Sequence, residues 1–202
     1  MGEDVEMEGK KLEIVKYAFD QFYKGGFHAT GMEAALAGSG ISKRTIYKYF
    51  PSKEDLIEAV LRLYSEHVTQ ELFGPVENIH DPREQILAFF DVRKTPGRML
   101  TRGCLGMKAA QEFAGKHDGI VELGKIAASQ AQVKFTELCR RAEFPEATRV
   151  AKELNVVFQG ALVLSNVLGD TSPFLSAKTV AAGILEKASQ ATRRKPTARS
   201  RH

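Results

Sequence analysis

Between Ser42 and Lys53 the chain carries Lys43, Arg44, Lys48 and Lys53 and not one acidic side chain. Acids cluster earlier, at Glu3, Asp4, Glu6 and Glu8, and resume directly afterwards, at Glu54, Asp55 and Glu58. Ser42, Thr45, Tyr47 and Tyr49 stand among these cations. Ammonium and guanidinium groups neutralise phosphate charge, and hydroxyls donate to phosphate oxygens, so this island has the chemistry to meet a polyanion.

The remaining reactive side chains do not assemble into a constellation. His28, His67, His80, His117 and His202 are scattered, with no HxxxH or HExxH spacing and no cysteine partners, so no metal site or cofactor is expected. There is no GxSxG elbow and no glycine-rich phosphate loop. The expectation is a protein that is not an enzyme. Cys104 and Cys139 are 35 positions apart and read as free thiols. Cys104 follows Gly103 at the start of an expected helix, where a lowered thiol pKa could make it an oxidant sensor; burial as a small core residue is the plainer reading. Cys139, beside Phe135 and Leu138, reads as core.

These residues must be positioned by helices. Leu12, Val15, Phe19, Phe22 and Tyr23 recur at helical spacing from about residue 10 and stop at Gly25-Gly26. A short helix is expected at about 31–38, then a glycine turn at Gly40-Ile41, then a second short helix capped by Ser42. Pro51-Ser52-Lys53-Glu54-Asp55 opens a long linking helix, with Ser52 as cap and Asp55 in the reciprocal capping-box place. Asp81-Pro82 opens another, a loop follows at Lys94 to Gly103, and helices are expected at about 104–114, 118–142, 146–169 and 175–191. No segment alternates long enough to be a strand. The fold class is therefore all-α: a three-helix head on a larger bundle.

Two short helices across a glycine turn, the second basic and polar outside, have the proportions of a helix-turn-helix. Such a second helix enters a major groove about 12 Å wide. Ile46 would face inward, while Lys43, Arg44 and Lys48 would reach base edges or phosphates and Tyr47 would donate to a phosphate. The expected partner is double-stranded DNA.

At Gly26-Phe27, Thr30, Gly40-Ile41-Ser42, Ile46-Tyr47-Lys48-Tyr49-Phe50 and Ser52-Lys53-Glu54-Asp55-Leu56 the chain resembles the N-terminal signature of TetR-type regulators, over about residues 11 to 60. The resemblance implies a head that binds operator DNA as a homodimer, and C-terminal helices that dimerise and bind a small-molecule effector. It places phosphate contacts on Thr30, Tyr47 and Lys53, and base-reading positions on Lys43, Arg44, Thr45 and Lys48. Ser42 and Tyr49 complete the expected DNA-binding set. Ala35-Leu36 replaces the usual Ile-Ala pair, Gly31 stands where Ser or Thr often caps, and Tyr49 replaces a frequent histidine. A weaker likeness runs through Arg102-Gly103-Cys104-Leu105, Gly160-Ala161-Leu162 and Gly169-Asp170.

Across the bundle Phe89, Phe90, Met99, Met107, Phe113, Phe135 and Phe158 supply aromatic and flexible apolar surface, with Cys104 and Glu112 as polar members of a candidate ligand site. Most would equally serve as core. Val157, Ala161, Leu164, Ser165 and Leu168, with Val180, Ile184 and Ala188, are candidates for a dimer interface, against which stands an ordinary intramolecular core.

Of the whole-chain charge of +4, Arg193, Arg194, Lys195, Arg199 and Arg201 contribute five positive charges and no acid lies among them, so without them the remainder is −1. Such a tail reads as disordered and solubilising, or as a non-specific nucleic-acid contact. With 43% hydrophobic residues but no unbroken apolar run near 20, no membrane span is expected. The acidic start lacks a secretory pattern, so a cytoplasmic protein is expected. The expected divisions are 1–8, a flexible acidic N-terminus; 9–55, the DNA-binding head; 56–191, the ligand-binding and dimerisation bundle; and 192–202, the tail. The function expected is a one-component transcriptional regulator, a repressor bound to a palindromic operator and released by its effector. The alternative is a helical small-molecule or stress sensor whose head no longer binds specific DNA. A third reading has the tail binding DNA non-specifically.

Overall fold

A computed structural model describes residues 2–92 and 103–194, and among them there is no strand. Met1, residues 93–102, which include Met99 and most of the stretch expected as a loop, and residues 195–202 lie outside the described residues. The helices are α1 (Gly2–Gly25), α2 (Lys43–Tyr49), α3 (Lys53–Val68), α4 (Pro82–Val92), α5 (Leu105–Glu112), α6 (Asp118–Arg141), α7 (Ala147–Leu168) and α8 (Ser172–Arg194). The chain forms two compact units. The first gathers residues 2–68 and 104–128, the second residues 69–92, 103 and 129–194.

In the first unit α1 buries Val15, Phe19, Phe22 and Tyr23 of the periodic face, together with Ile14 and Ala18, while Leu12, expected on that face, is 44% exposed. Against it α3 sets Leu56, Val60 and Tyr64, all buried, with Phe19 stacked on Tyr64 at 6.2 Å and on Tyr23 at 5.5 Å. The helix begins at Gly2, not near residue 10; Glu3, Glu6, Met7 and Glu8 are good helix formers and acids suit the first turns of a helix. It stops where Gly26 takes φ +81°, a left-handed conformation that suits glycine.

The short helix expected at about 31–38 is corrected. Only a single 3-10 turn, Ala34–Leu36, forms there. Its backbone closes by three-residue bonds, Leu36 N–H to Glu33 at 3.1 Å and Ala37 N–H to Ala34 at 3.2 Å. Gly31, Gly38 and Gly40 leave too few good helix formers between them, and Gly38 and Gly40 take positive φ, which ends any regular coil. Ala35 and Leu36 nonetheless reach the core.

Also in the first unit, α5 crosses the start of α6 at small residues. A Cβ on Gly124 would lie 2.6 Å from the Gly106 carbonyl oxygen, and one on Gly106 would lie 2.7 Å from both the Ala127 Cβ and the Gly124 carbonyl oxygen.

In the second unit the chain after α3 passes through a π turn, Thr69–Phe73, and a 3-10 turn, Gly74–Val76, into α4. The Asp81 carboxylate accepts the Arg83 and Glu84 N–H groups at 2.7 and 3.2 Å, and Pro82 opens the helix as anticipated. Here α7 packs along α8, and α4 against α8, where Lys178 pairs with Asp91. Phe89, Phe90, Phe135, Phe158 and Phe174 form a buried edge-to-face and stacked series, with ring centroids 5.3 to 6.3 Å apart. Buried Gln85 accepts from Arg141 at 3.2 Å. Cys139 is fully buried, as its neighbours predict, and burial pushes its thiol up to about 12, which leaves it protonated and inert.

Candidate nucleic-acid interface

The second helix of the motif is short because it is capped at one end and stopped at the other. The Ser42 hydroxyl accepts the Thr45 N–H at 3.1 Å and lies 2.8 Å from the Thr45 hydroxyl. The helix ends at Phe50, just before Pro51. One side of α2 is anchored by Ile46 and, at its end, Phe50, both 2% exposed. The other side turns Lys43, Arg44, Tyr47 and Lys48 to solvent, while Thr45 and Tyr49 are half-buried. The outward and inward assignments made from the spacing therefore agree with the structure. A helix of this form, cationic outside and apolar inside, can lie in a groove of DNA with four long polar side chains facing the bases and backbone.

The start of α3 is held by the reciprocal cap. The Asp55 carboxylate accepts the Ser52 N–H at 3.0 Å and the Ser52 hydroxyl at 2.6 Å, while the Asp55 N–H donates back to Ser52 Oγ at 3.1 Å. This places Lys53, half-buried, at the first turn of α3. Thr30 is buried, and its hydroxyl lies where a Cβ on Gly25 would be 2.6 Å away, so glycine there makes room for it.

Two acidic residues change the picture drawn from the chain. Glu33, at the head of the 3-10 turn, forms an ion pair of 2.5 Å with Lys43, so the acid-free stretch is acid-free in sequence and not in space. Its bond and charge raise the pKa of Lys43. The Tyr47 ring flanks the same ammonium at 5.9 Å. Glu112, a candidate for the ligand site, is committed to the head. Its carboxylate accepts the His28 N–H at 2.8 Å and the Phe27 N–H at 3.4 Å, and meets His28 Nδ1 at 2.9 Å. Burial pushes this carboxyl upward, but the bonds from His28 and Phe27 outweigh it and hold it below the usual glutamate range. Lys116 Nζ lies 3.2 Å from His28 Nε2. Phe113, from the same candidate list, packs edge-on to Phe27 at 6.0 Å. Neither Glu33 nor the Glu112 latch carries a local sequence signal.

The other ligand candidates divide between the units. Phe90, Phe135 and Phe158 come together in the aromatic series of the second unit. Cys104, buried, and Met107, half-buried, lie in the first. Of the dimer candidates, Leu164, Leu168 and Val180 are exposed, Val157 and Ile184 are half-buried, and Ala161, Ser165 and Ala188 are buried within their own unit. Val156, Val163, Val167 and Leu175, not singled out from sequence, extend the exposed apolar surface of α7 and α8. Among the described residues no group of three His, Cys, Asp or Glu could hold a metal ion, and no helix is long and apolar enough to cross a membrane.

Residues 14–60, the span of α1, the turn, α2 and the start of α3, match the family described as bacterial regulatory proteins, tetR family. The HTH-type transcriptional regulator UidR of Escherichia coli is 33% identical over 136 residues, covering 64% of this chain and 69% of UidR. The HTH-type transcriptional regulator RutR of Escherichia coli is 45% identical over 56 residues, covering 28% of this chain and 26% of RutR. Among solved structures, a TetR-family transcriptional regulator from Streptomyces coelicolor superposes with a TM-score of 0.78 at 20% identity, over 94% of this chain and 96% of that one. An all-helical chain with a cationic helix-turn-helix head and this extent of likeness to UidR belongs to the TetR family of bacterial transcriptional regulators.

Proposed function

We propose that this regulator is a repressor that binds a palindromic operator as a homodimer and is released by a small molecule bound in its helical bundle. The observation that carries the DNA half of this reading is the outer face of α2: Lys43, Arg44, Tyr47 and Lys48 stand exposed over an anchored Ile46 and Phe50. In a major groove, Arg44 and Lys48 would reach guanine acceptors. Lys53 and Tyr47 would meet phosphates, which position the head without reading sequence.

The dimer half is supported by α7 and α8, where Val156, Val163, Leu164, Val167, Leu168, Leu175 and Val180 are each about half exposed or more. So much apolar surface on two neighbouring helices is unusual for a face meant for water. Two copies of the head on a two-fold axis read two half-sites, so the operator is a palindrome with half-sites about one helical turn or more apart. The effector would enter the bundle near Phe90, Phe135 and Phe158, whose rings offer apolar and edge-on contacts. Its binding would favour a conformer in which the two heads are wrongly spaced, and operator affinity falls by the ratio of the effector's affinities for the two states.

Selection of bound duplexes from a random DNA pool, at about 150 mM salt so that weak phosphate binding is suppressed, tests the reading. The expected product is one enriched palindrome. Folded, dimeric protein that enriches no motif would instead favour a bundle-centred sensor with a silent head. Loss of all binding on deleting residues 193–202 would favour non-specific contact through the tail.

A further inference from the structure

The Glu33–Lys43 pair lies at the first turn of α2, on the side that faces solvent. Both side chains are well exposed, 67% for Lys43 and 59% for Glu33, so the pair is not a packing device buried in the fold. It joins the two halves of the helix-turn-helix across the glycine turn. The Tyr47 ring supports the same ammonium from within α2. A carboxylate here opposes the purpose of a cationic face, since it neutralises one of the four solvent-facing polar side chains of that helix and adds a charge that phosphates repel.

We propose that Glu33 is a specificity-determining residue, holding Lys43 away from phosphates and leaving it available to base edges; this rests on α2 being the DNA-reading helix. On DNA of arbitrary sequence, a lysine gains chiefly from a phosphate oxygen, which carries a full charge. To make that contact, Lys43 must leave Glu33 or bring its carboxylate up to the phosphate, well inside the ~10 Å range over which exposed charges interact at 0.1 M salt. A base edge presents neutral acceptors instead. An ammonium has three N–H donors, so Lys43 can keep one on Glu33 and turn the others to guanine O6 and N7. The pair therefore weakens the contact common to all sequences more than the contact that distinguishes them.

The test uses the full-length chain, a random-sequence duplex and the duplex recovered by selection, with affinities titrated against salt for wild type, Glu33→Gln, Lys43→Met and the double variant. Glutamine keeps the shape and removes the charge. Glu33→Gln is expected to tighten binding to the random duplex about two- to fivefold at ~100 mM salt, as suits an exposed pair, and to steepen its salt slope by about 0.9. The recovered duplex should gain less, so that the ratio of the two affinities falls. In the Lys43→Met background, Glu33→Gln should gain clearly less, only the relief of direct repulsion between the carboxylate and the phosphates, and should lower the affinity ratio no further. An unchanged ratio, or the same gain without Lys43, overturns the role given to Glu33 while leaving the docking mode intact. If Lys43→Met alters neither affinity, or no duplex is enriched at all, the docking mode itself fails and the proposal goes with it.

Discussion

The Glu112 carboxylate sits against the end of α1 and takes two backbone N–H groups and the His28 ring. An ionised acceptor binds such donors more strongly than a neutral one. Because folding lowers the pKa of Glu112, its contribution to stability is whole above the usual value of 4.5 and is lost as pH falls through the lower folded value. Glu112→Gln is expected to lower stability by about 1 kcal/mol at pH 7, the size of a charge-assisted bond made neutral. The gap from wild type should narrow as the pH falls below 4.5 and on through the lower folded value, since the protonated wild type then resembles the amide. Urea unfolding at each pH measures it, and a gap that stays constant would deny the charge any part. Outward placement of Lys43, Arg44, Tyr47 and Lys48 was legible in the chain, because one helical turn and a capping serine decide it. The partners of Glu33 and Glu112 were not. Each acid meets its partner across intervening turns or from 84 residues away, and no local pattern encodes such a meeting.

At the level of elements, caps and breakers worked as local rules say. Ser42, the Ser52–Asp55 box and Asp81-Pro82 all start helices where their chemistry places them. The first element of the helix-turn-helix did not follow, because three glycines in ten residues cannot sustain an α-helix and packing of Ala35 and Leu36 needs only one turn. The crossing of α5 and α6 belongs to the same scale. Gly106 and Gly124 let the two backbones approach so closely that an added methyl on either meets a carbonyl oxygen inside 3 Å. Gly124→Ala is expected to destabilise the protein by about 1–3 kcal/mol, despite the higher helix propensity of alanine, because the helices must part. Denaturant unfolding would show it, and a variant more stable than wild type would mean that the helices separate at no cost.

At the level of the whole molecule, the apolar faces of α7 and α8 are where association should be read. Leu164→Glu with Leu168→Glu places charge on two residues that are 52% and 60% exposed, so the fold of one chain has little to lose. The expected result is a shift in sedimentation from dimer to monomer with helicity unchanged, and weaker binding to a palindromic duplex. A double variant that sediments as wild type would place the interface elsewhere. Periodicity could name α7 and α8 as helices rich in apolar residues. It could not divide Ala161, Ser165 and Ala188, buried in their own unit, from Leu164, Leu168 and Val180, left outside, since that depends on which neighbour each face meets.

By itself the sequence determined the all-helical class, the helix starts set by their caps, the cationic outer face of α2 and the family likeness of residues 14–60. These follow from spacing, capping and charge within a few turns of chain, where physical rules act locally. Tertiary structure alone decided that Glu33 closes on Lys43, that Glu112 belongs to the head, and that residues 104–128 join the first compact unit. Those outcomes turn on contacts made across intervening turns or between segments far apart in sequence, which only the packing of the folded chain selects.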